Sequence, residues 1–591
     1  MPSNTHRDRE ILSNASGPVG KMGAFLKLSG PGWLQSAITL GGGSLGGALY
    51  LGVLGGYQML WLQAVAIIIG VIMLSAIAYI TLSIKIRPYQ AINQYINPVL
   101  GVGWITATIL ANMIFILPQF SLCFDALDNN LLAGSLVDSR GSQIGVSAVL
   151  VILALAAVIM SFRPGVMSRI FDISLKVIVG LIVLCFLFVV VYLTRTNELD
   201  WAQIWRGFIP DFSQWNQPAN QIATLINGLP DQWQAFWNEN IIKNQRQVII
   251  STTATAVGIN MTFLLPYSMI ARGWDKPFRG LARWDLITAM AIPFIIVTSC
   301  IVLASANAFH GKADEAFLSN DPAMIQDSKM FAGAMGVLEK RMIAEQGDNA
   351  LADINAMPST SDEEKAAQKT AKKQKIAQYA STLPTDERKL AATLVKPNTN
   401  QLAKSLEPLL GEKNANLVFG LGAFAMGFST IIILMLINGY AVAEVCGGYN
   451  NNILRIVGAV LAAAAGFSWI WLWAGQSKTW LIIVASTFAA ILLPIAYFAF
   501  FLLMNNKQLL GSEKPQGYRM WIWNALMLIG VGGALAQAIL ATSLQIQKPE
   551  TGSIVIGAVS AFLVLMLVGF SARIPQQKNE ASVVTEVSES S

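Results

Sequence analysis

The residues best placed to do chemistry in this chain are two clusters of small and polar side chains set inside apolar sequence. In the stretch GPGWLQSAITLGGGSLGGALYLGVLGGY, Thr39 precedes the run Gly41, Gly42, Gly43 and Ser44, where Leu, Ile or Val would be usual. In VIISTTATAVGINMTFLLPYSMIARGW, Gly258 leads into Asn260, Met261 and Thr262, with Pro266 beyond. Each Gly weakens a helix by about 1 kcal/mol against Ala, and Pro removes a backbone donor. Both segments are therefore expected to break, and broken backbone at membrane depth is tolerated only where protein buries it or it lines a cavity. Carbonyls freed by the glycines, with Thr39, Ser44, Asn260 and Thr262, offer hard neutral oxygens. Such a set suits a largely hydrated magnesium or calcium ion, a sodium or potassium ion, or a small polar solute. Met261 adds one soft thioether, the ligand type that favours transition metals, so Ser44, Asn260 and Met261 are the candidate metal ligands. The plainer readings of the same residues are core packing by Met261 and close helix approach at the glycines.

Enzyme chemistry is not expected. The two His, His6 and His310, fall outside the apolar spans, which excludes a membrane-embedded His relay, an HExxH zinc site or a Ser-His-Asp triad. Cys123, Cys185, Cys300 and Cys446 are scattered without a CxxC pair, so neither disulfides nor a thiolate metal site is indicated, and no cofactor is implied. Asp125, Asp128, Asp172, Asp285 and Glu444 fall near span ends, where charge is cheap, and are expected to be solvated or anchoring.

The elements that must position these residues follow from composition. With 54% hydrophobic and 13% charged residues and 16 Trp, the chain reads as an all-α, multi-pass membrane protein. Windows of about 20 apolar residues, enough to cross the hydrocarbon as helix, begin near 32, 57, 102, 143, 172, 247, 285, 417, 453, 479, 519 and 553, which makes about twelve transmembrane helices. Lys and Arg alternate with the loops: Lys85, Arg87, Arg163, Arg169, Arg272, Lys276, Arg279, Arg283, Lys507, Lys514 and Arg519 fall on one side, and the short loops on the other hold little beyond Arg140, Lys478 and Lys548. By the positive-inside rule both termini are cytoplasmic, in the plasma (cell inner) membrane. The net charge of +6 reflects that orientation in the lipid bilayer and implies no nucleic acid.

The expected division is a cytoplasmic tail over 1–28, helices one to seven over 29–308, an outer helical insertion over 309–416, helices eight to twelve over 417–573, and a disordered cytoplasmic tail over 574–591. Within the first membrane block, 195–246 carries Trp201, Trp205, Trp215, Trp233 and Trp237 and reads as an outer amphipathic segment in the headgroup region. The insertion is rich in good helix formers with opposite charges at helical spacing, a cap outside the membrane that a protein partner could use. Interruptions at matching places in spans one and six point to two inverted five-helix repeats with a substrate site between the broken helices.

From Gly30 to Trp61 the chain also resembles, without a gap, the first-span signature of the natural resistance-associated macrophage protein (Nramp) metal-ion transporters: Gly30-Pro31-Gly32, then Gly56-Tyr57 and Leu60-Trp61. MGFST at 426–430 and LLPIAYF at 492–498 are weaker echoes. The resemblance implies the leucine-transporter fold of the amino acid-polyamine-cation superfamily, with spans one to ten as its core. It places Gly41, Gly42 and Ser44 where that family has its metal-binding Asp, its Pro and its Asn. The family's Met-Pro-His falls on Asn260-Met261-Thr262 or on Met261-Thr262-Phe263, and its third-span acidic positions on Asn112, Gln119 and Leu122. Asn112, Gln119 and Asp125 are thus the candidate pathway residues, and the usual carboxylate and His are absent. The expected function is transport of an inorganic cation, divalent first, by alternating access and without strong proton coupling. The alternatives are a transporter of a small organic solute such as an amino acid, and a non-transporting sensor or assembly protein that uses the outer cap.

Overall fold

The computed structural model describes residues 2–589 except 133, 137–138, 164, 359–360, 398–400, 402, 404–406, 408–410, 473–479 and 547–551. Among the described residues every regular element is helical. Ten helices are long and apolar enough to span a membrane, and the bent pair Pro31–Thr39 and Gly42–Gly55 makes an eleventh span. The shorter apolar helix Val555–Ser571 stands at the expected twelfth. It belongs to a helix that runs from Gly552 to Glu589, so residues 574–589, expected as a disordered tail, are helical. The Gln, Lys, Glu and Ala of that stretch are good helix formers.

The first span packs unusually close to its neighbours because its glycines leave room for them. A Cβ on Gly52 would stand 2.0 Å from Ser305 Oγ, and one on Gly47 would stand 3.0 Å from Thr252 Oγ1. Pro31–Thr39 and Gly42–Gly55 thereby reach the helices Asp231–Ala256 and Ile292–Phe309 across small residues, the arrangement that lets membrane helices gain van der Waals contact. Close packing and helix breaking are both uses of the same glycine-rich segment.

Of the carboxylates expected to be solvated or anchoring at span ends, Asp125, Asp128, Asp285 and Glu444 are buried. Asp285 is 1% exposed and accepts from the backbone N–H of Gly30 at 3.2 Å and Gly32 at 2.6 Å, and from the Ser29 hydroxyl. It caps the N-terminus of Pro31–Thr39, where unpaired donors and the positive end of the helix dipole favour an anion. Lys176 Nζ donates to the Ser29 carbonyl at 3.0 Å, and Arg272 pairs with Asp172 at 2.8 Å beside it. Glu444 is likewise buried and takes Arg87 Nε at 2.9 Å. Asp125 and Asp128 are buried at the far end of the third span. A span end can bury a charge when a partner or a helix terminus meets it there.

Outside the spans, helices Pro322–Asp327, Phe331–Gln346, Asp362–Thr382 and Thr385–Thr393 share one apolar core. Asp362–Thr382 starts on a reciprocal capping box between Ser361 and Glu364. The same core takes in Ile222, Ile226, Trp237 and Ile241. Trp237 is therefore not a membrane-surface anchor: its ring is buried among cap side chains, and its Nε1 donates to Glu387 Oε2 at 2.9 Å. Trp201 and Trp205 remain exposed, as an interfacial segment requires. The helix of the sixth span begins at Asp231, well before the apolar window near 247, because its first turns are held by the cap.

At the centre of the cap Arg341 makes two bonds to Glu387, Nε to Oε2 at 2.6 Å and Nη2 to Oε1 at 3.0 Å, and its guanidinium lies 3.2 Å from the centre of the Trp233 ring. Burial and a hydrogen bond to Glu345 push the neighbouring Tyr379 hydroxyl well above its ordinary range. Removing one member of a buried ion pair leaves its partner uncompensated, which costs about 3–5 kcal/mol. Glu387→Ala is accordingly expected to speed amide exchange across Phe331–Gln346 and Thr385–Thr393 while leaving the membrane helices protected.

Candidate functional site

Two helix breaks face each other near the middle of the bundle. In the first span the half-helices meet at 47°, with the chain leaving helical geometry at Leu40 and Gly41. In the sixth, Val257 and Gly258 are extended between Asp231–Ala256 and Ile259–Ala271. The glycine run does not unwind throughout. Gly42, Gly43 and Ser44 form the first turn of the second half-helix, and only Gly41 is extended. The reason is close approach: a Cβ on Gly41 would stand 2.2 Å from Thr430 Oγ1, and one on Gly42 would stand 2.5 Å from Gln119 Oε1. Side chains from spans three and eight fill the space that side chains on the run would need.

Between the breaks lies a cavity of about 30 Å³. A space of this size holds one or two water-sized particles. Ile38, Ala254 and Thr255 face it from the C-terminal ends of the first half-helices, where the dipole is negative. Gly43, Ser44, Gly258, Asn260 and Met261 face it from the other side of each break, and Phe115, Gln119, Thr430 and Leu434 close it from spans three and eight. Among the described residues no Asp, Glu or His lines it.

The hydrogen bonds decide what this cavity offers. The hydroxyls of Ser44, Thr255 and Thr430 donate to the carbonyls of Thr39, Thr252 and Met426, the last two at 2.9 and 2.8 Å. Gln119 Nε2 donates to Phe115 O at 3.2 Å while its Oε1 accepts from Gly42 N–H at 3.1 Å. Asn260 Oδ1 accepts from Met261 N–H at 2.9 Å. A hydroxyl has one proton and two lone pairs, so with its proton committed to backbone each presents an acceptor. The wall offers neutral oxygens and one thioether, together with the side-chain amide N–H groups of Asn260 and Gln119.

Of the residues singled out from sequence, Gly43, Ser44, Gly258, Asn260, Met261 and Gln119 line the cavity. Thr39, Gly41, Gly42 and Thr262 stand beside it. Thr39 donates to Met261 Sδ at 3.5 Å, and Thr262 is occupied by Trp104 Nε1 at 3.0 Å and by Ile259 O at 2.5 Å. Asn112 and Asp125 lie on the helix Pro98–Asp125 with Gln119 between them. Both are buried away from the cavity, and neither polar side-chain atom of Asn112 has a hydrogen-bond partner among the described residues. Sequence reasoning missed Thr255, Thr430, Phe115 and Leu434. Thr430 closes the MGFST segment, so the signal was present without a contact to give it meaning.

The sequence profile of the natural resistance-associated macrophage protein-like family matches residues 32–326 and 379–540. No curated protein sequence matches the chain. Among solved structures, two mutants of the manganese transporter of Eremococcus coleocola are similar in fold, at TM-scores of 0.58 and 0.57. Each is 14% identical, and the match covers 93% of this chain and 94% of that one.

The crowding at Gly41 makes a direct test. Overpacking a well-filled interior costs about 1–3 kcal/mol, so Gly41→Ala is expected to lower the thermal unfolding midpoint of the purified protein. Adding Thr430→Ala removes the nearest obstructing atom and is expected to recover part of the loss, the Ile38 carbonyl at 2.8 Å accounting for the remainder.

Proposed function

This chain belongs to the natural resistance-associated macrophage protein-like (Nramp) family, and we propose that it moves an inorganic cation through the cavity between its broken first and sixth spans by alternating access. Members of that family are secondary transporters, so the chain is a multi-pass membrane transporter and not an enzyme. The observation that carries the cation reading is the acceptor-only character of the hydroxyls of Ser44, Thr255 and Thr430 around a space sized for an ion.

Family membership supports a divalent metal, and the manganese transporters of similar fold agree with it. The wall sets the strength of binding. A divalent ion stripped of water needs compensating negative charge, and neutral oxygens repay only part of its desolvation. Binding is therefore weak, with Met261 supplying the preference for a transition metal over magnesium. With no titratable group on the cavity wall, proton coupling is weak as well. The Lys and Arg asymmetry supports a plasma-membrane orientation with both termini in the cytoplasm and the cap outside.

Calorimetry with manganese, magnesium and sodium tests the site. Asn260→Ala and Thr430→Val are each expected to weaken manganese binding about tenfold, which is about 1.4 kcal/mol. In proteoliposomes, manganese uptake is expected to saturate and to change little when a pH gradient is imposed. Unaltered binding in both variants, or uptake that follows the gradient, would remove this reading.

A further inference from the structure

The cap touches the membrane bundle at the half-helices of the two broken spans that lie on its own side. On the sixth span it holds the start of Asp231–Ala256 through Trp237, Ile241 and the Trp237 bond to Glu387. On the first span it holds Gly42–Gly55 at two places. Where the chain enters the cap, His310 is buried with Nδ1 2.9 Å from the Val53 carbonyl, and its ring packs so closely on Gly56 that a Cβ there would stand 2.8 Å from it. Where the chain leaves the cap, the Tyr50 hydroxyl donates to Pro397 O at 3.0 Å, and Tyr50, Val53, Asn244 and residues 393–396 meet around a small crevice. The cap, with the Arg341 and Glu387 pair at its centre, thus bridges the cap-side half-helices of the two broken spans.

We propose that the cap is a clamp that holds the cap-side half-helices of spans one and six together and so sets how often the cavity opens toward that side. The inference rests on the alternating-access reading above. Opening a path between two half-helices requires them to separate, and any contact present only in the closed arrangement shifts the equilibrium by its own free energy. Separating the first span from the sixth would break the Tyr50 to Pro397 bond, because Pro397 follows Val395 of the cap core that also holds Trp237, while the His310 to Val53 bond ties the first span to the end of the seventh, where the chain enters the cap. The middle of the cap, residues 327–378, is unmatched by the family's sequence profile.

The test places a reporter cysteine in the cavity by Ser44→Cys in a Cys446→Ser background, the other three cysteines being buried. An impermeant thiol reagent is then added to sealed vesicles that present the cap outward. Tyr50→Phe keeps the ring and removes only the hydroxyl. Loss of one neutral hydrogen bond from the closed state is expected to raise the labelling rate about fivefold. His310→Ala is expected to act in the same direction, and the two together more than either. Should His310→Ala fail to fold, Tyr50→Phe alone decides. A faster rate supports the clamp, and an unchanged or slower rate in Tyr50→Phe overturns it. Labelling reads opening while cation uptake reads transport. A labelling change with Tyr50→Phe, where the chain that keeps Ser44 shows no cation uptake, removes the transport reading alone, and uptake by that chain with unchanged labelling removes the clamp alone.

Discussion

A helix that breaks inside a membrane exposes N–H and C=O groups where no water can reach them, and the rest of this structure is arranged around two such breaks. Each unsatisfied group in hydrocarbon costs several kcal/mol. The bundle meets the demand with side chains from other spans and from the broken spans themselves. Gln119 takes the N–H of Gly42, Ser429 donates to the carbonyl of Ala37 at 2.9 Å, Ser44 covers the carbonyl of Thr39, and Asn260 turns back on the N–H of Met261. Once those obligations are met, what the hydroxyls turn toward the cavity is lone pairs.

The distribution of charge follows from the same constraint. No carboxylate lines the cavity, and buried carboxylates sit where a helix terminus or a cation meets them: Asp285 on the N-terminus of Pro31–Thr39, Glu444 on Arg87, Glu387 on Arg341. A buried charge without such a partner is strongly destabilising. The positions that anchor the half-helices are thus charged, and the position that would bind an ion is neutral. Anchoring at both ends of the first span, by Asp285 on one side of the membrane and by the cap on the other, leaves the break at Leu40 and Gly41 as the place where its two halves change angle.

Much of this architecture is legible in the sequence because it rests on local properties. Apolar windows of helical length give the spans, and the break-prone residues of spans one and six give the site to within a turn of helix. Asn260 and Ser44 of the cavity wall are found by type and position, since a polar residue in an apolar span needs a reason to be there, and Gln119 through the family resemblance alone. The outer cap is legible as helix from its Ala, Lys, Glu and Gln.

The errors share a cause, which is that their outcome depends on what stands opposite. Asp285 and Glu444 look solvated until Gly32 and Arg87 are placed against them. Trp237 looks like a membrane anchor until Glu387, 150 residues away, is brought to its indole. The glycine run looks like a stretch of free carbonyls until Thr430 and Gln119 press against Gly41 and Gly42 and hold Gly42 to Ser44 in a helical turn. The sequence by itself determined an all-helical membrane bundle with two opposed breaks and no charge at their meeting point, because hydrophobicity, helix propensity and the absence of Asp, Glu and His are properties of single residues and their neighbours. Only the tertiary structure decided that the cavity presents acceptors and that the cap grips the two half-helices beside it, because the direction of a hydroxyl proton and the reach of a buried ion pair are set by partners far away in the chain.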